Sequence, residues 1–309
     1  MSMTTRVQEI LSWYEGQTPG VKTNLARLLN HGRLGGTGNL IILPVDQGFE
    51  HGPDRSFYPN PEALDPHYLF KLGIDAGLSA YAAPLGLLEA GADTFAGQIP
   101  LILKMNSSNQ MTRFAHESSL ADQALTSNLD DALRLGCVGI GFTIYPGSDN
   151  TYSLFEEIRE ISQRAKDFGL LVVIWAYPRG NMSKAGETAL DVISYSAHMA
   201  ALLGAHIVKV KLPAPHLEYS ESPEIYKSYK KNFTLLEERV RHVMDCTFKG
   251  KRLVIFSGGA SKSDESVIDD AKAIKAGGGH GSIIGRNAFQ RSKEEAMKLM
   301  NALVEIYTS

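Results

Sequence analysis

The 309-residue chain has only two cysteines, Cys137 and Cys246, far apart and without CxxC spacing. That scarcity argues against a disulfide framework and fits two free thiols in a reducing compartment. Its nine histidines are scattered, with no HxH or HExxH pair, so neither a metal site nor a cofactor is expected. No apolar run reaches the roughly 18 residues of a membrane span. The start, MSMTTRVQEILSWYEG, lacks the apolar core of a signal peptide. A net charge of −3 gives no pull toward nucleic acid or an anionic membrane. No Pro-, Gly- or Ser-rich linker divides the sequence. What remains is a cytoplasmic protein of ordinary globular composition, 43% hydrophobic and 21% charged.

Against that background, eight short apolar runs recur: NLIILPV (39–45), LSAYAAP (78–84), PLILKM (100–105), VGIGFTIY (138–145), LLVVIWAY (170–177), HIVKVK (206–211), RLVIFSGG (252–259) and GSIIGR (281–286). Such unbroken runs suit parallel strands covered on both faces. Helical periodicity lies between them, as in SLFEEIREISQRAKDFG and TALDVISYSAHMAALLG, each ending in a glycine where a C-cap belongs. Eight βα units predict an α/β chain folded as a single (β/α)8 TIM barrel over 1–309, with a doubly wound open sheet as the alternative. Residues 1–38 read as an N-terminal helical extension covering the barrel's bottom. Residues 214–250 read as a longer insertion and helix after the sixth strand, either a lid or a surface excursion.

In such barrels the site lies at the C-terminal ends of the strands. Polar residues there are Asp46, Gln47, Glu50 and His51 after strand one, and Lys104 and Asn106 at strand three. Strand five ends in Trp175, Tyr177 and Arg179, and strand six carries Lys209 and Lys211. Ser257, Gly258 and Gly259 end strand seven, with Gly285 and Arg286 after strand eight. The last two turns read as an anion site, because glycines let a phosphate approach backbone N–H groups and Arg286 can add a charge-assisted bond; tight βα turns are the plainer alternative. AGGGHG (276–281) reads only as a helix cap and loop.

Lys209 and Lys211 share one face of a strand. If that face is the barrel interior, desolvation and neighbouring positive charge lower their pKa, and a neutral amine can form a Schiff base with a ketone. Outward snorkelling or an ion pair with Asp46 would instead make them structural. Spacing does not choose between the two lysines. Tyr177 on the neighbouring strand is a candidate acid/base, with packing as its alternative role.

Together, LPVDQGFEHGP, WAYPRG, IVKVKLP, FSGGAS and IIGRNAFQRS resemble the class I fructose-bisphosphate aldolases of the archaeal and bacterial type, most closely the bacterial branch. The resemblance spans about Gly20 to Leu303. It implies a metal-free carbon–carbon lyase that cleaves a phosphosugar, fructose 1,6-bisphosphate, in glycolysis and gluconeogenesis. It also implies a homo-oligomer larger than a dimer. By the same resemblance Lys209 is the imine-forming lysine and Tyr177 transfers a proton. Trp175 and Arg179 lie by the substrate, Asp46 and His51 are site residues, and the SGG and GR turns cradle a phosphate. Lys211 is then cast as the charge that keeps Lys209 neutral. Another lysine-dependent transferase or thiolase-type enzyme of the same barrel, a phosphosugar isomerase and a barrel without catalysis are the rival readings. The insertion after Pro213 departs from the shortest archaeal forms.

Overall fold

The computed structural model describes residues 3–112, 120–258 and 262–309. Each apolar run forms a strand: β1 (Leu40–Pro44), β2 (Ala80–Ala83), β3 (Leu101–Lys104), β4 (Gly139–Ile144), β5 (Leu171–Ala176), β6 (Ile207–Lys211), β7 (Leu253–Ser257) and β8 (Gly281–Ile283). Neighbours are parallel and follow sequence order until β8 pairs with β1, closing a (β/α)8 barrel. The strands stop inside the runs read from sequence. At β8, Arg286 opens the short helix Arg286–Phe289 instead of extending the ladder.

Strand alternation sorts the side chains into two cores. Val208 and Val210 face outward and pack with Leu190, Ile193 and Ala197 of the helix Leu190–Leu202. Ile207 faces inward with Leu171, Val173, Trp175 and Ile255. The same parity carries Lys209 and Lys211 inside. Trp175 is the largest interior side chain, level with Thr143 on β4 and Lys209 on β6. Its indole fits because β4 has glycine opposite: a Cβ at Gly141 would lie 2.1 Å from the ring.

The barrel's other end is plugged by helices α1 (Thr5–Ser12) and α2 (Pro19–Leu29), whose first turns are capped by the Thr4 and Thr18 side chains. Val7, Ile10, Tyr14, Val21 and Leu25 join the interior core. The Tyr14 hydroxyl donates to His206 O at 2.5 Å and accepts from Leu253 N at 3.1 Å, bridging the starts of β6 and β7. His206 Nδ1 accepts from Val172 N at 2.8 Å while its Nε2 meets Gln17 Oε1 at 3.0 Å. His280 Nδ1 accepts from Val254 N at 3.3 Å.

After β6, residues 214–250 form the helices Ser222–Ser228 and Leu236–Cys246. Buried Asp191 fastens this insertion, accepting from Glu218 N, Tyr219 N and Ser222 Oγ at 2.7–3.1 Å.

Candidate active site

At the C-terminal strand ends lies a cavity of about 240 Å³. Asp46 and His51 reach it from the turn and short helix after β1, and Tyr177 and Arg179 from beyond β5. Lys209 and Lys211 come from β6, Ser257 and Gly258 from β7, and Gly285 and Arg286 from β8. It opens past Glu50, Tyr145 and Arg179 into an outer recess walled by the segment after β3.

Lys209 is 3% exposed and lies in an aromatic corner, its Nζ 5.4 Å from the centre of the Trp175 ring and 4.9 Å from that of Tyr177. Among the described residues the amine meets no hydrogen-bond acceptor. Burial therefore dominates and pushes its pKa down to about 8; Asp46 and Glu50 oppose the shift and Arg286 assists it. A fall of that size disfavours the ammonium by about 3 kcal/mol. Tyr177 is driven the other way. Burial first, then Asp46 and Glu50, hold its phenol above the ordinary range, against a Ser257 Oγ contact at 3.5 Å.

Two loops form the opposite wall. Lys262 N donates to Asn287 Oδ1 at 2.8 Å, and Arg291 donates to Lys262 O and Asn287 O at 2.8 and 2.7 Å, tying Lys262 to the segment after β8. On the β1 side, Gln47 Oε1 and His51 Nδ1 are buried in the wall with no partner among the described residues. Unpaired buried polar atoms are costly unless a ligand completes them.

Several sequence expectations change here. Lys104 and Trp175 do not line the cavity. Lys104 lies over the far side of the indole, 5.9 Å from its centre, and donates to the backbone oxygen and side chain of Asn106. Both form the floor under Lys209, because Gly141 lets the indole fill the barrel centre. Lys211 is not the leading cation on Lys209; Arg286 is. Lys211 turns instead to Glu187 Oε2 at 3.7 Å. Among the described residues, none of the 214–250 insertion lines either chamber; Asp191 and Glu218 tie it to the segment after β5. Gly259 lies outside the described residues.

Thr143, Tyr145 and Glu187 were not singled out in the sequence. Thr143 and Tyr145 sit on the β4 face marked by Gly141, so alternation along VGIGFTIY could have found them. Glu187 lies beyond β5 in a short helical turn that no spacing rule reaches.

A desolvated lysine beside a phenol, at the strand ends of a closed parallel barrel, fits the class of lysine-dependent carbon–carbon lyases. The model of the DeoC/LacD family aldolases matches residues 40–291, and the chain belongs to that family. It is 35% identical, over 93% of its length and 84% of the relative's, to a probable class 1 fructose-bisphosphate aldolase of Chlamydia muridarum. It is 33% identical to the class 1 fructose-bisphosphate aldolase of Thermoproteus tenax, over 87% and 89% of the two chains. A solved archaeal fructose-1,6-bisphosphate aldolase, its catalytic lysine covalently bound to the carbinolamine intermediate, superposes with a TM-score of 0.75 at 28% identity. That superposition covers 93% of this chain and 99% of the other.

Proposed function

We propose that the chain reversibly cleaves fructose 1,6-bisphosphate into dihydroxyacetone phosphate and glyceraldehyde 3-phosphate through an imine on Lys209. The observation that carries this reading is the buried Lys209 amine, lowered to about 8 and set beside Tyr177 on the cavity floor. The neutral amine adds to the C2 ketone, and Asp46 moves the protons that let water depart. The resulting iminium draws electrons from the C3–C4 bond.

Tyr177 takes the proton of the C4 hydroxyl as that bond breaks. At rest its phenol is held protonated. An iminium charge forming beneath the ring favours the phenolate, so the base arises only once the covalent step is complete. The phenol's own proton passes to the Asp46 carboxylate, which returns it as the amine is released. Glyceraldehyde 3-phosphate leaves, C3 of the enamine is protonated, and water frees dihydroxyacetone phosphate and the amine.

Ser257, Gly258, Gly285 and Arg286 hold the C1 phosphate, which sets C2 above Lys209. Arg179 and Lys211 face the far phosphate. Gln47 and His51 complete their hydrogen bonds on sugar hydroxyls. In this reading the enzyme works in the cytoplasm as a homo-oligomer larger than a dimer. Sedimentation checks that assembly.

Trapping tests the chemistry. Borohydride added in the presence of dihydroxyacetone phosphate should leave a mass adduct on the peptide carrying Lys209. An adduct on Lys211 would move the nucleophile, and no adduct at all would remove the imine.

A further inference from the structure

The cations over the outer half of the cavity converge on one buried carboxylate. Glu187 sits in the turn Gly186–Thr188, with a side chain 7% exposed. Its Oε2 accepts from Arg179 Nη1 at 2.9 Å and lies 3.7 Å from Lys211 Nζ. The exposed Lys184 ammonium bonds both oxygens at 3.0 Å. Arg179 and Lys211 both line the inner chamber; Glu187 lines only the outer one.

The turn that carries Glu187 is itself clamped. Glu218, from beyond β6, accepts from Ser183 N at 2.6 Å and Ser183 Oγ at 2.7 Å, and Ser183 Oγ in turn accepts from Gly186 N at 2.9 Å. A Cβ at Gly186 would sit 2.6 Å from the Glu218 carboxyl carbon, so a larger residue there would push that carboxylate aside. Ala214 N donates to Thr188 O at 2.7 Å, and Leu190 N to His216 O at 2.9 Å. The insertion after β6 thus acts on the cavity at one remove, as a brace behind Glu187.

We infer that Glu187 is a positioning residue. It fixes Arg179 and Lys211 at the spacing that receives the distal phosphate of a bisphosphate substrate, and it takes no part in imine chemistry at Lys209. Three cations against one carboxylate leave an excess of positive charge facing the cavity, which suits a dianion. A long, flexible lysine without an anchoring anion would spend less time there. This inference rests on the bisphosphate reading above, and its test separates the two.

Two variants are compared with the native enzyme by KM for fructose 1,6-bisphosphate and by the dihydroxyacetone phosphate concentration that half-saturates borohydride trapping. Dihydroxyacetone phosphate lacks the distal half. Glu187→Gln should raise the bisphosphate KM about tenfold while leaving half-saturation of trapping within about twofold. Glu187→Asp keeps the buried charge, and so the fold, but shortens its reach; it should give a smaller selective loss of about threefold. The pH profile gives a second readout. Lys211 is lowered to about 8 by burial first and then by Arg179, with Glu187 opposing and Lys184 assisting; the Tyr177 ring is its remaining neighbour. Removing the Glu187 charge therefore moves the alkaline rise in bisphosphate KM to lower pH. Equal losses on both ligands, or no loss in either variant, would overturn the positioning role. Absence of trapping in the native enzyme would overturn the aldolase mechanism instead.

Discussion

The two ends of the barrel bury titratable groups to similar depth and use them oppositely. At the plugged end His206 and His280 are 1% and 3% exposed, and at the open end Lys209 is 3% exposed. Burial lowers the pKa of all three, the histidines to about 3 and the lysine to about 8. His206 has a partner at both ring nitrogens, and His280 accepts at Nδ1 from the next strand. Desolvation there locks neutral imidazoles into place as acceptors that stitch neighbouring strands. Among the described residues Lys209 has aromatic faces in place of acceptors, so the same penalty lowers its amine to about 8. Desolvation with partners makes structure, and desolvation without them makes a nucleophile.

The sharpest way to break that comparison is Lys209→Met. Cleavage and trapping should both vanish while the melting temperature holds or rises, since a buried amine becomes an apolar side chain. A lower melting temperature would make Lys209 a structural group like the histidines. Tyr177→Phe comes next. Turnover should fall by about 10²–10⁴-fold, with the adduct on Lys209 still formed; unchanged turnover would take Tyr177 out of proton transfer.

Arg286→Gln should raise KM by about tenfold, the loss of one charge-assisted phosphate bond. It should also move the rise of trapping with pH to higher pH, because Arg286 helps lower the Lys209 pKa and the amine reacts unprotonated. A shift to lower pH would contradict the electrostatics. The smallest effect belongs to the other end. His206 is neutral in the fold but protonates in the unfolded chain below about pH 6.5. Its contribution to stability is complete above that pH and is lost progressively as pH falls from about 6.5 toward 3. His206→Asn, which keeps an acceptor for Val172 N, should cost about 1–2 kcal/mol at neutral pH and flatten the acid limb of the denaturation curve. An unaltered acid limb would place the sensitivity elsewhere.

The barrel was legible because its signal is periodic: apolar runs of fixed length, repeated with helices between them, admit few closures. The inward lysines were legible from alternation once β6 had an interior. Choosing Lys209 over Lys211 needed the family resemblance; in the structure Lys211 has Glu187 at 3.7 Å, while among the described residues Lys209 makes no ion pair. Trp175 was expected beside the substrate because nothing in its own strand tells of the space left by Gly141 on the next. The insertion after Pro213 was open to a lid reading because loops after strands sit on the catalytic face of such a barrel. What fixes it is Asp191, a residue of the preceding helix whose hydrogen bonds leave no local pattern.

The Tyr14 bridge has a consequence for how the molecule is made. Its partners lie 192 and 239 residues downstream, so the bridge itself cannot form until β6 and β7 exist. On a ribosome, α1 and α2 emerge first and wait with their apolar faces uncovered while most of the chain is synthesised. Closure therefore belongs to the slow, nonlocal end of folding. The Tyr14 contacts are thus completed only after the strands they join have been made.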